Sequence, residues 1–282
     1  MILVTGATGT VGRQLVEILA RAGEPVRALT RDPAKAKFDA KVEVSTGDLE
    51  KPDTLAKALA GVERVFSLGA AGPGLATQEG NLAQAAKKAG AKHVVKLSVL
   101  GAGTGSDNPV IGWHEAGENA IKDSGLAWTF VRPGMFMSNA LAWLPSIKSQ
   151  GKVFLPYGNG KVAPIHPRDI AAVAAKALTG EGHEGKAYGL SGPDALSTAT
   201  MVETLSKELK KPIQYVPVGP DTAKENLLKA GMPAVLVDAL LKFSATLRAG
   251  QDQTPLPTVT EVLGRPALTW SEWVRENAAA FA

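Results

Sequence analysis

The sequence has no cysteine, which excludes disulfides, thiolate metal sites and cysteine nucleophiles together. Aromatic residues are scarce, 5% of the chain with three tyrosines, so chemistry that needs a phenol has few candidates. No apolar run approaches the ~20 residues that cross a bilayer, and the opening Met1-Ile2-Leu3-Val4-Thr5-Gly6 lacks the basic flank and the length of a secretory signal. A soluble cytoplasmic protein without a membrane partner is therefore expected. Neither sign of charge dominates: the formal net charge is +4, spread along the chain without the clustered basic footprint of a nucleic-acid binder. A basic cleft for an anionic small molecule accounts for that excess equally well.

The 282 residues, 45% hydrophobic and 21% charged, suffice for the core of one large α/β unit. Short apolar runs recur at 2–5, 26–30, 42–45, 65–68, 94–97 and 129–131. Such runs suit strands buried on both faces, and the stretches between them are long enough for crossover helices. The expected fold is a Rossmann-type doubly wound parallel sheet with a smaller C-terminal α/β cap. Helical spacing marks 11–19, 52–59, 82–89 and 114–122, with Gly23, Gly90 and Gly125 as stops. After Pro133-Gly134 the alternation ends. An apolar helix is expected at 141–147, short strands near Val153 and Val162, a helix over 169–178, and cap elements from Tyr188 onward, including a helix over 235–247 and a capping box at Thr269-Trp270-Ser271-Glu272. The expected division is 1–134 for a dinucleotide-binding core with 162–180 packing back on it. The remainder, 135–161 and 181–282, forms a substrate-binding cap intertwined with the core in one structural domain.

The sharpest signal is Gly6-Ala7-Thr8-Gly9-Thr10-Val11-Gly12, set between the first strand and the first helix. Glycines permit the tight turn and the close approach of backbone to a pyrophosphate, and a helix N-terminus offers free N–H groups. The end of the second strand selects the nucleotide. An NAD site places a carboxylate there for the ribose hydroxyls, whereas this chain reads Thr30-Arg31-Asp32-Pro33, with Lys35 close by. A guanidinium takes a phosphate through paired hydrogen bonds, which favours NADP(H) over NAD(H), although Asp32 could instead serve the ribose.

These residues resemble the short-chain dehydrogenase/reductase superfamily, and more closely its atypical NmrA-like and NAD(P)H-binding members of quinone-reductase type. The resemblance runs through the glycine loop, Gly47-Asp48-Leu49, Leu97-Ser98-Val99, Arg132-Pro133-Gly134 and His166-Pro167-Arg168-Asp169-Ile170-Ala171. It implies that Asp48 and Leu49 lie against the adenine. Leu68, Gly69 and Ala70 would line the ribose and nicotinamide side, and Pro133, Gly134 and Met135 would lie near the nicotinamide. Ser98 takes the family's serine place, where it could orient substrate or simply end the strand. Asp48 could equally cap the turn before Pro52.

Ordinary reductases of the superfamily use a tyrosine and a lysine four residues later, the lysine easing proton transfer from the phenol to the forming alkoxide. Of Tyr157, Tyr188 and Tyr215, only Tyr157 has a lysine at that spacing, Lys161, and it sits in a proline- and glycine-rich turn. At the family's tyrosine and lysine places stand Val110 and His114. His114 could donate a proton or hydrogen-bond the substrate, or pair structurally with Glu118 one helical turn away. Trp113 and Phe136 could form an aromatic wall for a planar substrate or belong to the core. His166, His93 and His183 carry less: Asp169 is expected to cap the helix after His166, His93 begins a strand and His183 sits in a turn. No histidine pair has metal-ligand spacing, so no metal is expected.

The resemblance implies an NADPH-dependent oxidoreductase that passes hydride to a conjugated or aromatic acceptor such as a quinone. Such an acceptor yields a stabilised product without strong acid assistance, so positioning supplies much of the acceleration. One alternative is a non-catalytic NmrA-like NAD(P) sensor that regulates a protein partner. Another is a carbonyl reductase or isomerase working through Tyr157 or an unrecognised acid. The expected partner is a small apolar or aromatic substrate, with the chain a monomer or homodimer.

Overall fold

The apolar run that opens the chain becomes the central strand of the protein. The computed structural model describes residues 1–281. Strand β1 (Ile2–Val4) is buried throughout and pairs in parallel with β2 (Val26–Thr30) on one side and β4 (Arg64–Ser67) on the other. Beyond β2 lies β3 (Glu43–Thr46), and beyond β4 lie β5 (His93–Leu97) and β6 (Ala127–Pro133). The strand order β3-β2-β1-β4-β5-β6 reverses direction at β1. In an open parallel sheet such a reversal leaves a crevice outside the carboxyl ends of the strands, where ligands bind.

Successive side chains on each strand point to opposite faces, and the two faces carry separate cores. Ile2, Val4, Phe66 and Val95 pack against α1 (Thr10–Arg21) and α6 (Pro167–Thr179). Leu3, Val65 and Val94 pack against α2 (Leu55–Leu59), α3 (Leu75–Lys88) and α4 (Pro109–Asp123). Buried apolar positions four apart on α1, Val11, Leu15 and Leu19, make the stripe that holds that helix to the sheet.

A third apolar cluster forms the C-terminal cap. It joins Met137, Ile147, Val153, Val162, Leu205, Leu247 and the stacked pair Trp270 and Trp273, whose ring centroids lie 5.0 Å apart. Two small sheets frame it, Lys152–Leu155 with Gln214–Pro217 in parallel and Lys161–Val162 with Leu196–Ser197 antiparallel. The capping box at Thr269 and Glu272 is formed in full.

Three expectations are corrected. Residues 181–282 are not all cap: Lys186–Leu190 adds a seventh parallel strand beside β6, and Val259 of the helix Thr258–Leu263 enters the main core. The run Lys-Ala-Tyr-Gly-Leu carries no apolar period, and this edge strand is half-exposed, so backbone pairing with β6 makes it a strand. The stretch over 141–147 is not one helix. A 3₁₀ segment, Met137–Trp143, precedes α5 (Leu144–Gln150). Asp169 does not cap α6: His166 does, its Nδ1 accepting from the Arg168 amide at 3.0 Å. Asp169 is buried in the first turn, where it accepts from the Leu268 amide at 2.7 Å and pairs with Arg265 at 2.7 Å, tying the C-terminal segment to the helix. Among the described residues no helix is long and apolar enough to cross a membrane.

Candidate functional site: a dinucleotide cleft and a buried polar chain

At the end of β1 the chain turns sharply at Gly6, whose φ of +59° is left-handed and where a Cβ would lie 2.8 Å from Leu68 Cδ2; only glycine fits without strain. The Gly9 amide closes the turn on the Gly6 carbonyl at 2.9 Å. The Arg13 amide is the first to bond back into α1, to Gly9 O at 3.0 Å, so the amides of Thr10, Val11 and Gly12 have no partner in the helix. At Gly12 a Cβ would overlap the Gly6 carbonyl, so the helix can pass this close to the turn only as glycine. The Thr5 hydroxyl accepts from the Leu68 amide at 2.7 Å and donates to the Phe66 or Leu68 carbonyl, locking the ends of β1 and β4 together. Free amides and a positive helix end facing one crevice are the donor set for a diphosphate.

This loop opens on a cleft of about 470 Å³ at the carboxyl end of the sheet. Of the expected cofactor residues, Gly6, Thr8, Gly9, Arg31, Lys35, Asp48, Leu49, Leu68, Gly69 and Ala70 all line it. Val11 is in the core and Gly12 is buried against the turn, so these two can contribute backbone amides to the cleft rather than side chains, while Thr10 is exposed at the helix start. Arg31 is exposed and makes no ion pair or side-chain hydrogen bond among the described residues, whereas Asp32 is engaged by Lys35 at 3.3 Å and by the Ala34 amide at 3.1 Å. Asp48 Oδ1 accepts from the Glu50 amide at 3.1 Å, so Asp48 shapes its own turn while facing the cleft.

Two residues that sequence reasoning missed support this side from α3. Gln78 accepts from the Ala70 amide at 2.8 Å and donates to Glu50 at 3.1 Å, while Asn81 donates to the Leu49 carbonyl at 2.9 Å. They pin both loops that flank the cleft. Their only sequence signal is amide side chains three apart on one helical face.

The remaining expected residues are dispersed. Ser98, at the end of β5 and one strand beyond β4, is buried and donates to Glu118 at 2.6 Å. Glu118 also takes Arg132 in a paired contact at 2.8 and 2.5 Å, which raises the guanidinium pKa. Glu118 thus does not pair with His114, contrary to the structural alternative considered from spacing. His114 instead lies 3.3 Å from Lys96 Nζ through Nδ1, and burial, then the Lys96 charge, hold its pKa down at about 3. Lys96 pairs at 2.8 Å with Glu79, both side chains having 0% exposure. Neither Lys96 nor Glu79 was singled out from sequence; a lysine inside an otherwise apolar strand was the available signal.

Tyr157 is 5% exposed in the cap core, its ring edge-on to Phe243 at 5.9 Å between centroids, and burial pushes its phenol well up. Expected against substrate, it lies within the cap cluster. Phe136 is half-buried against the main core beside Ile165, Met135 packs on the cap cluster, and Gly134 donates to Leu190 O at 2.8 Å. Pro133 ends β6 buried. Trp113 stays half-buried on α4, next to His114.

Comparison with known proteins places these features in a family. The NAD(P)H-binding family matches residues 6–181, and the chain belongs to it. It is 42% identical to an NAD(P)H azoreductase of Xenophilus azovorans, covering 100% of this chain and 99% of the relative. It is also 42% identical to a (4-alkanoyl-5-oxo-2,5-dihydrofuran-3-yl)methyl phosphate reductase of Streptomyces griseus, covering 100% and 99%. Among solved structures it is similar to an Escherichia coli NADPH-dependent quinone oxidoreductase complexed with NADPH, at 31% identity and a TM-score of 0.85 over 98% of this chain and 99% of that one.

Proposed function

We propose that this protein is an oxidoreductase that moves a hydride from NADPH to a conjugated or aromatic acceptor, a quinone among them. The observation that carries this reading is the pairing of a complete diphosphate loop, with three free amides and Arg31 at its rim, with a site that has no tyrosine–lysine acid pair. The glycine loop fits the cofactor, since the absence of a Cβ at Gly12 lets the helix N-terminus pass against the Gly6 turn, which leaves the free amides of Thr10, Val11 and Gly12 to meet a diphosphate. NADPH supplies the hydride when bound. Within the chain, Gly6 to Gly12 hold the diphosphate, Arg31 and Lys35 take the ribose phosphate, and Asp48 with Leu49 flanks the adenine. Gln78 and Asn81 keep those loops in place. His114 and Trp113 face the acceptor, and residues 135–161 with the cap cluster close over it. The relatives support this reading: one is an NAD(P)H azoreductase, another an NADPH-dependent quinone oxidoreductase, and a third is a reductase of a conjugated 5-oxo-2,5-dihydrofuran.

The test is NADPH oxidation by the purified protein across a panel of quinones, azo compounds and triarylmethane dyes. Turnover that disappears in Gly9→Asp, where a carboxylate would face the diphosphate, is expected. Failure of every acceptor to exceed the Gly9→Asp background would refute the reading.

A further inference from the structure

Behind the Gly69–Ala70 loop, three side chains from three elements form a continuous polar chain that dinucleotide binding does not require. Glu79 of α3 and Lys96 of β5 pair at 2.8 Å with no exposure, and Lys96 Nζ also reaches the Leu97 carbonyl at 3.1 Å and His114 Nδ1 at 3.3 Å. The second oxygen of Glu79, Oε2, is buried with no hydrogen-bond partner among the described residues. If this pair served only to join α3 to β5, apolar side chains of similar volume would do so as well or better, because burying two ions costs several kcal/mol each before their attraction returns it.

The protonation states suit transfer. Burial raises the Glu79 carboxyl to about 7 in spite of Lys96, with Glu118 of α4 and the Gly69 amide also facing it. Burial likewise lowers Lys96. The His114 ring, held down at about 3, is neutral near pH 7. A neutral imidazole that accepts from Lys96 at Nδ1 carries its own hydrogen on Nε2.

We infer that Glu79, Lys96 and His114 form a proton relay for acceptors whose reduced form is an anion, a deepening that rests on the oxidoreductase reading above. A quinone that gains a hydride becomes a hydroquinone monoanion. Its oxygen takes the hydrogen of His114 Nε2 as Nδ1 takes one from Lys96, and Glu79 refills Lys96. The pair ends as carboxylate and ammonium, one proton poorer, and solvent restores that proton before the next turnover. The quinone has then gained one hydride and one proton, and the nicotinamide is oxidised. A triarylmethane cation becomes neutral on hydride arrival and draws no proton. His114 is the residue that touches the acceptor; Lys96 and Glu79 act through it.

The two acceptors separate relay from structure. In E79Q/K96M, a nearly isosteric neutral pair that keeps the core filled, the ratio of quinone to triarylmethane turnover falls by about tenfold or more. Wild-type quinone turnover declines as pH rises through about 7, triarylmethane turnover shows no such limb, and the limb is lost in E79Q. Independently of turnover, a difference infrared titration of the cofactor-free protein shows a buried carboxylic-acid band that vanishes as pH rises through that range and is absent from E79Q. Equal slowing of both acceptors in the double variant, or no such band, overturns the relay alone. A wild-type protein that oxidises NADPH with neither acceptor overturns the oxidoreductase reading and the relay with it.

Discussion

Gly117 on α4 stands where the Glu79 carboxylate enters from α3: a Cβ at 117 would overlap Glu79 Oε2 and come within 3.3 Å of Lys96 Cε. The absent side chain is the space in which the buried pair sits. The closeness of α3 and α4 and the chemistry of the pair therefore depend on the same position.

Gly117→Ala is expected to destabilise the protein by about 1–3 kcal/mol, the usual cost of overpacking a filled interior, because neither fully buried partner can swing into solvent. Urea denaturation measures it. The helix-favouring effect of alanine, up to about 1 kcal/mol, opposes the loss, so a more stable variant would show that Glu79 does not occupy this space.

Arg31 is the guanidinium at the cleft rim without an ion-pair partner among the described residues. Removing a hydrogen bond to a charged group costs about 1.5–3 kcal/mol, or roughly 10- to 100-fold in affinity. Arg31→Ala should weaken NADPH by that factor in a fluorescence titration and leave NADH within about twofold. Equal loss for both nucleotides would place the ribose phosphate elsewhere.

Arg132 makes two of the three contacts that satisfy the buried Glu118 carboxylate. Arg132→Met leaves that charge with the Ser98 hydroxyl alone, and breaking a buried pair from one side costs about 3–5 kcal/mol. The arginine retains 21% exposure, so the lower end of that range is expected in chemical denaturation. Glu118→Gln/Arg132→Met should recover part of the loss.

The pH dependence of stability separates Glu79 from His114. The folded Glu79 carboxyl is raised from 4.5 to about 7, so the native state holds the extra proton in that window and this group loses stability as pH rises through it. His114 is lowered from 6.5 to about 3, so the unfolded state holds the extra proton and stability is lost as pH falls below 6.5. Between roughly pH 4.5 and 6.5 the two slopes oppose one another. E79Q should make stability fall more steeply on acidification, and His114→Asn should make it fall less steeply, with His93, His166 and His183, also lowered by burial, sloping the same way as His114 in both variants. Thermal scans across that range check both, and identical slopes in the two variants would contradict the assignment.

Tyr157 has the tyrosine–lysine spacing but lies in the cap core against Phe243. Tyr157→Phe should leave NADPH oxidation within about twofold of wild type, since a general acid contributes 10²- to 10⁴-fold and this phenol is not placed to act as one. A hundredfold loss with an unchanged melting temperature would restore it as a candidate.

The amino-acid sequence alone determined the phosphate loop and most of the sheet. Gly6 to Gly12 are contiguous, and their roles follow from conformations and close approaches within one turn. Strand Ile2–Val4 announces itself because a strand covered on both faces must be apolar at nearly every residue. Tertiary structure decided what local pattern cannot encode. Lys186–Leu190 became a strand because β6 offered it an edge, and the Lys96 side chain of β5 meets Glu79 and His114 on two helices. Spacing allowed His114 to pair with Glu118, but Arg132 and Ser98 took that carboxylate. Which of several possible partners a buried charge acquires is set by how elements distant in sequence pack together.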